Sequence, residues 1–379
     1  MAPHTIRWGI ISTGGIATTF AKDLLVDPTT RNVHDVAHKI AAVGSRSVAS
    51  AQAFIDKLKS FSGPSSWGVQ HGGLDGATPY GSYDEVYADP SVDVVYIGTP
   101  HPFHHQNAKA ALLAGKHVLC EKPFVMDLAE LDELIAIAKE KRVFLMEAVW
   151  TRFQPIAYAV QEVLRSGKLG RPRRVTAELS SCINMDELAD DDRMIDPKLG
   201  GGPLLDLGPY PAVWGMLVLH QHPQNQDKEP QVVDFSQRIY KRNGIDEMSA
   251  FTVRWEGLAE ARLLTDFTAC TPLDNACVVD CEKAQLIIDH PLYRPERFRI
   301  VPHAGSTDDI PKETEHRYPV PAGNGMHYEA DHVARCLRDG KLESDRMPLT
   351  ESRIVQGWFD TVRKGGNSVL KDWPHTAGK

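Results

Sequence analysis

Short apolar runs alternate with amphipathic stretches over the first 150 residues, the pattern of βαβ units feeding a parallel sheet. The spacing predicts strands at 6–11, 39–44, 93–98, 117–120 and 143–147. Between the last two, Leu128, Leu131, Leu134, Ile135 and Ala138 form an i, i+3, i+4 stripe that a helix would lay on the sheet, and Gly115 ends the helix before it. From 151 the pattern changes. One helix is predicted from Pro155 to near Gly167, followed by strand-like runs at 173–181, 231–240, 248–255, 258–269 and 276–288. Many of these are long and alternating, which suits a mainly antiparallel sheet with one helical face. Two further helices are predicted at 327–338 and 350–364, the first stopped at Gly340. The Gly/Ser/Pro-rich stretch from Ser60 to Gly81 reads as a surface loop inserted in the first domain.

At 379 residues, with 42% hydrophobic and 24% charged positions, the chain exceeds what one core usually organises and is neither disordered, collagen-like nor a coiled coil. Lys and Arg number 42 against 50 Asp and Glu, a net charge of -8, so nucleic acid is not an expected partner. The compact basic cluster Lys168, Arg171, Arg173 and Arg174 reads as a solvated turn. Six cysteines are scattered without a C-x-x-C pair, which points to a reduced, cytoplasmic protein. Cys277 and Cys281 lie in a strand-like run and read as buried thiols; no metal site is expected. The N-terminus enters an apolar strand almost at once, with no signal-peptide pattern, and no run of about 18 apolar residues suggests a membrane span.

The first strand runs into Ser12, Thr13, Gly14, Gly15 and Ile16, then into a helix-like stretch with Phe20, Leu24 and Leu25 on one side. This resembles the G-x-G-x-x-G/A dinucleotide fingerprint with Ser12 in place of the first glycine. An ordinary strand-to-helix turn has a similar composition; the position at the first strand of an alternating domain favours the nucleotide. The expected fold class is therefore α/β. It comprises an N-terminal Rossmann domain, residues 1–148, and a C-terminal α+β domain, 149–379, with a large, mainly antiparallel open sheet. At the tip of the second strand stand Ser45, Arg46 and Ser47. With a guanidinium and no carboxylate there, a 2′-phosphate fits better than a bare ribose hydroxyl, which favours NADP; the alternative is an exposed helix-start arginine.

Further segments carry a resemblance. Thr99-Pro100-His101-Pro102-Phe103-His104, Cys120-Glu121-Lys122-Pro123 and the Gly-Gly-Gly-Pro-Leu-Leu-Asp-Leu-Gly-Pro-Tyr stretch from Gly200 to Tyr210 follow two strand ends and a downstream loop. In order and spacing they resemble the glucose-fructose oxidoreductase / inositol dehydrogenase (Gfo/Idh/MocA) family over essentially the whole chain. Glu147 to Phe153 and Cys336 to Ser344 look most like the branch holding dimeric dihydrodiol dehydrogenase and fungal NADP-dependent D-xylose 1-dehydrogenase. A second arginine of that branch falls near Ser50 here, a departure that narrows the expected margin of NADP over NAD.

The resemblance implies an NADP-dependent oxidoreductase acting on CH–OH groups, with Ser12, Thr13, Gly14, Gly15, Ile16, Ser45, Arg46, Thr99, Pro100, His104, Glu121 and Lys122 toward the cofactor. His101 and His105 flank His104 closely enough to make its assignment ambiguous. Lys122, Asp206 and Tyr210 are the implied catalytic residues. An ammonium beside a phenol lowers the phenol's pKa, which proton removal from an alcohol requires at neutral pH. Asp206 and Tyr210, four residues apart, would share a helical face, although Pro209 and Pro211 favour a helix start or a kink there. Trp150, Arg152, Phe153, Arg193 and Tyr293, with Asp206 and Tyr210, are candidate substrate-pocket residues, although packing explains each of the first five equally well. The implied reaction is oxidation of an aldose at C1 to the lactone, D-xylose first, by a homodimer joined through the C-terminal sheet if that sheet's outer face is apolar. A trans-dihydrodiol or other polyol dehydrogenase stays open, as does a non-catalytic NADP-binding regulator, which could dispense with proton-transfer residues.

Overall fold

In the computed structural model, which describes residues 2–61, 72–226, 229–305 and 312–373, the predicted opening strand is β1 (His4–Ile11), with Trp8, Ile10 and Ile11 fully buried. It is followed by α1 (Gly15–Leu24), β2 (Val36–Gly44), α2 (Val48–Lys59), β3 (Thr78–Tyr80), α3 (Tyr83–Ala88), β4 (Val94–Ile97), α4 (His104–Leu113), β5 (His117–Glu121), α5 (Leu128–Lys141) and β6 (Leu145–Ala148). The strands form one sheet in the order β3-β2-β1-β4-β5-β6, every pair parallel. Such a sheet is covered on both faces, which is why β4 and β6 are buried throughout and show no alternation. On one face Ile11, Val95, Ile97, Val118 and Leu145 pack with Ala108 and Leu112 of α4 and Leu131 and Leu134 of α5. The strand order reverses between β1 and β4, and the crevice at the carboxyl ends there is the ligand position of such sheets.

The 60–81 stretch differs from the loop expected there. Its end is β3, whose Thr78, Pro79 and Tyr80 pair with Ala42, Val43 and Gly44. Three residues with a central proline give no periodic signal, and a proline is tolerated because the strand lies at the sheet's edge. Residues 62–71 of this stretch lie outside the described residues.

After 150 come α6 (Pro155–Arg165), β7 (Pro172–Ser180), α7 (Pro203–Asp206), α8 (Pro209–Gly215), β8 (Gln231–Ile239), β9 (Asp246–Trp255), β10 (Ala259–Asp266), β11 (Cys277–Cys281), β12 (Ala284–Ile288), β13 (Arg297–Pro302) and β14 (Thr314–Arg317). They build an eight-stranded sheet, β14-β13-β12-β11-β7-β10-β9-β8. Only β7 and β10 pair in parallel; the other neighbours are antiparallel, as the alternating runs predict. The single run expected at 276–288 is a hairpin: Cys277 faces Ile288 and Asp280 faces Gln285, with Glu282 and Lys283 between the strands. The adjacent charges of those two residues mark the turn. α10 (Leu349–Gly365) packs its second half on this sheet, where Trp358 meets Trp255 and Phe359 meets Phe251 edge to face.

Before α10, the chain forms α9 (His327–Arg338) within the first unit. The two compact units are Met1–Trp150 with Val320–Ser352, and Thr151–Pro319 with Arg353–Pro374. The turn into α9 is tied to α1 by Asp23, whose carboxylate accepts the backbone N–H groups of Asn324 (2.9 Å) and Met326 (2.7 Å). Asp331 of α9 accepts two hydrogen bonds from Arg31, both 2.7 Å, and lies 2.8 Å from His38 Nε2 on β2. His38 Nδ1 in turn accepts the indole N–H of Trp8 on β1 at 3.2 Å, so the neutral ring suffices for both contacts. Burial alone would raise the Asp331 pKa. The hydrogen bonds from Arg31 and His38 outweigh it and hold the carboxyl well below the usual range.

Candidate active site

The nucleotide loop follows from β1 ending beneath α1. Ser12 has φ 88°, the left-handed region that glycine enters more easily, and its Oγ accepts the N–H of Gly14 at 3.2 Å. Gly14 caps α1 without a side-chain hydrogen bond, and the first turn of α1 holds no acidic residue. Its N–H groups therefore meet an approaching anion without competition from a carboxylate. A side chain built on Gly15 would meet nothing within 4 Å, so the backbone is open to a ligand there, beside the exposed Ile16. Gly98, just past β4, lets α1 come close: a Cβ would lie 3.3 Å from that of Ala17.

Thr13 and Ser45 link the tips of β1 and β2 through their hydroxyls, 3.4 Å apart. Arg46 is exposed, and its charge opposes the burial that raises the phenol pKa of Tyr83. Ser47 caps α2 by accepting the N–H of Ser50 at 3.2 Å and donates to the Ser50 hydroxyl at 2.9 Å, and no acid occupies the first turn of α2. The segment from Gly44 to Ser50 therefore brings Arg46 and no carboxylate to the tip.

At the ends of β4 and β5, Thr99 is buried beside the exposed Pro100, and its hydroxyl has no hydrogen-bond partner among the described residues. His104 is fully enclosed, with Nε2 2.8 Å from the carbonyl oxygen of Thr99 and Nδ1 2.8 Å from that of Pro123. Burial, against the pull of these carbonyls, pushes its pKa down. The neutral ring carries one N–H and donates to one of the two carbonyls, so His104 is a buried link between the two strand-end loops. Glu121 is buried, accepts the phenol of Tyr96 at 2.7 Å and the N–H of Lys122 at 3.2 Å, and leaves Lys122 half-buried at the strand tip. Tyr96, which also stacks on Phe20 at 3.8 Å, went unnoticed in the sequence because a tyrosine in a buried strand reads as core. The orphaned Thr99 hydroxyl, the open Gly15 and the uncapped α1 together fit a dinucleotide along these strand ends.

In the second unit, the glycine-rich stretch turns sharply before α7. Gly202 has φ 113°, and a side chain there would strike Asp246, while Asp246 accepts the N–H of Leu204 at 3.0 Å and the Ser249 hydroxyl at 2.8 Å. Burial, partly countered by these bonds, raises the Asp246 pKa to about 6. Asp246 is a supporting residue that sequence reading missed; an acid opening a strand gives no distinctive signal.

Asp206 and Tyr210 do not sit on one continuous helix as the four-residue spacing suggested. α7 ends at Asp206 and α8 begins at Pro209, because neither Pro209 nor Pro211 has an N–H to continue the ladder. Gly208 lies at the junction, where a Cβ would strike the Leu204 carbonyl oxygen.

Asp206 is buried and accepts from Arg193 at 3.2 Å. Tyr210 is buried and packs on Tyr293, ring centroids 5.5 Å apart. The Tyr293 carbonyl accepts the Thr151 hydroxyl at 2.7 Å and the Gln154 amide at 3.0 Å, and the preceding Leu292 carbonyl accepts the Trp214 indole of α8 at 3.0 Å. The structure thus brings together Arg193 with Asp206 and Tyr210 with Tyr293. Trp150, Arg152 and Phe153 form a buried turn, 7%, 1% and 3% exposed, whereas the Arg193 side chain is 55% exposed. Among the described residues no three His, Cys, Asp or Glu side chains group to hold a metal, and no helix is long and apolar enough to cross a membrane.

Residues 6–149 match the family described as oxidoreductase family, NAD-binding Rossmann fold, and residues 158–287 match the GFO/IDH/MocA C-terminal domain. The chain is also 38% identical, over 96% of its length and 93% of the relative's, to D-xylose 1-dehydrogenase (NADP(+)) of Hypocrea jecorina. The chain belongs to the Gfo/Idh/MocA oxidoreductase family. This family member is an oxidoreductase with a nicotinamide-dinucleotide domain. It is 32% identical to the human trans-1,2-dihydrobenzene-1,2-diol dehydrogenase over 95% of this chain and 96% of that one. KijD10, a 3-ketoreductase from Actinomadura kijaniata solved with NADP and TDP-benzene, shares the fold at a TM-score of 0.75 and 21% identity, with 96% and 98% of the two chains covered.

Proposed function

We propose that this oxidoreductase uses NADP to oxidise an aldose at C1 to the lactone, with D-xylose as the preferred substrate. The observation that carries the reading is the 38% identity, along 96% of the chain, to an NADP-dependent D-xylose 1-dehydrogenase. Arg46 at the tip of β2, on a segment from Gly44 to Ser50 without an acid, supports NADP, since a guanidinium pairs with a 2′-phosphate and an acid in its place would repel it. In this reading Ser12, Thr13, Gly14, Gly15, Ile16, Ser45, Arg46, Thr99, Pro100 and Lys122 contact the cofactor, with Glu121 and His104 holding the strand-end loops behind them. When bound, the nicotinamide accepts the hydride from the reacting carbon. Tyr210 takes the hydroxyl proton, and the ammonium of Lys122 favours the ionised phenol. Asp206, oriented by Arg193, accepts hydrogen bonds from substrate hydroxyls and fixes the reacting carbon.

A second reading, a trans-dihydrodiol dehydrogenase, is favoured by the 32% identity to the human enzyme of that activity. Initial rates for D-xylose, D-glucose, L-arabinose and a trans-dihydrodiol, each with NADP and with NAD, separate the two. D-xylose with NADP is expected to give the highest kcat/KM, and a diol rate far above every sugar would transfer the protein to the second reading. Deoxy-pentoses should be poor substrates, because a missing hydroxyl leaves buried partners unsatisfied.

The proposed assembly is a homodimer through the open face of the eight-stranded sheet, in a reducing, cytoplasmic setting consistent with six free cysteines. The condition set for that face, apolar outer residues, is met only in part. Val278 and Leu264 are half-buried among the exposed Arg174, Thr176, Arg254 and Arg262, so a partner must supply polar complements. Sedimentation of the wild type beside Arg262→Glu tests it: a monomeric wild type would sink the dimer.

A further inference from the structure

Past the carboxyl ends of β7 and β10 the two segments stay joined. The N–H of Ser181 meets the Asp266 carbonyl at 2.8 Å and that of Ile183 the Phe267 carbonyl at 2.9 Å. A little further on, the Thr271 hydroxyl accepts the N–H of Ser180 at 2.6 Å, which folds residues 268–271 back beside Ser180 to Cys182. Cys182 Sγ lies 3.7 Å from the Thr268 carbonyl oxygen, and the fold-back carries Cys270, two residues on, along the same segment. Both sulfurs are exposed, whereas Cys120, Cys277, Cys281 and Cys336 are buried.

We propose that Cys182 and Cys270 form a dithiol modification site that hydroperoxides oxidise to an intrachain disulfide and that dithiol reductants reopen. Disulfides of reducing compartments are typically of this transient kind, and two accessible thiols on neighbouring, hydrogen-bonded segments are what the chemistry needs. In the proposed sequence Cys270 attacks first and the Cys182 thiol, pushed up by its neighbour Cys270, keeps its proton until the second step. The Cys270 thiolate takes the outer oxygen of the hydroperoxide, the O–O bond breaks, and the alcohol departs with a proton from solvent. The sulfur of Cys182 then attacks the sulfenic acid. An S–S bond forms, the S–O bond breaks, and water leaves with the Cys182 proton. Two thiols are oxidised by two electrons, and the hydroperoxide is reduced to alcohol and water.

The position gives the bond a consequence. Downstream of Cys182, Ile183, Met185 and Met194 pack with Ile195, Tyr240, Ile245 and Phe267, and this stretch carries Arg193, the partner of Asp206. A staple at Cys182 fixes the base of that stretch.

The test uses the full reduced chain and an equimolar amount of hydrogen peroxide, followed by thiol alkylation and peptide mapping without reduction. The expected product is one cross-linked peptide pair joining Cys182 to Cys270, lighter by two hydrogens. Both thiols should be lost together, and dithiothreitol should restore them. The buried cysteines, among them Cys281 with its thiol pushed up to about 12 by burial, serve as internal controls and should stay unoxidised. In Cys182→Ser, the Cys270 sulfenic acid should persist and be trapped by dimedone. Independent oxidation of the two sulfurs without a cross-link would overturn the proposal. So would a disulfide between two chains, or a pair no more reactive than the buried cysteines.

Discussion

Asp331 offers the sharpest quantitative test of how the nucleotide unit is held. Its carboxylate is 2% exposed, faces an Arg31 guanidinium that is 1% exposed, and reaches His38 on β2, whose other nitrogen supports Trp8 on β1. Asp331→Ala removes both hydrogen bonds to Arg31 and the one to His38, and leaves a charged guanidinium in the interior without its carboxylate. Breaking a buried pair by deleting one partner costs about 3–5 kcal/mol, because the surviving charge keeps its desolvation penalty. For a unit of this size that corresponds to a fall in Tm on the order of 10 °C.

The pH dependence has a definite sign. The folded-state pKa of Asp331 lies well below the unfolded value, so its stabilisation is complete above the ordinary carboxylate range and is lost as pH falls through the folded value. Thermal unfolding of wild type and variant across pH should therefore show a gap that is constant near neutrality and narrows below about pH 4. A loss under about 1 kcal/mol, or a gap that does not change with pH, would refute the reasoning, since a surface pair behaves that way.

Other expectations follow from the site. Arg46→Ala should weaken NADP about 10- to 100-fold and leave NAD nearly unchanged in binding titrations, the loss of a charge-assisted pair; equal losses for both cofactors would make Arg46 a loop support. Tyr210→Phe and Lys122→Ala should each lower kcat far more than they weaken NADP binding, and retention of most turnover by Tyr210→Phe when chemistry limits the rate would remove the phenol as base. Gly208→Ala drives a methyl into the Leu204 carbonyl oxygen and should cost about 1–3 kcal/mol in unfolding experiments, with kcat falling as Tyr210 shifts.

Periodic burial made most of the first unit legible: strands buried on both faces stood out as apolar runs, and the amphipathic stripe of α5 read directly as a helix. β3 was invisible because an edge strand of three residues around a proline has no period to detect. In the second unit, the alternating Arg297, Phe298, Arg299 and Ile300 of β13 did carry a signal that was passed over. The site divides in the same way. Strand-tip residues such as Arg46, Thr99 and Lys122 were accessible, because the ends of parallel strands are where ligands bind. Asp246, Tyr96 and the clamp on Tyr293 were not, since each acts through a partner remote in sequence.

The break between Asp206 and Tyr210 is the instructive case. Residues at i and i+4 share a face only if the ladder between them is intact, and two prolines remove the N–H groups that would complete it. The chain instead uses Gly208 to pass a carbonyl at a distance no side chain permits, and each short helix takes its own support: Asp246 for α7, the Trp214–Leu292 bond for α8. Asp206 and Tyr210 are consequently oriented by different partners, Arg193 and Tyr293. A substitution that disturbs one helix need not disturb the other, so Arg193→Ala should act mainly on KM through Asp206 and spare the proton-transfer group. A matching collapse of kcat in that variant would mean that the two side chains are coupled more tightly than their separate supports imply.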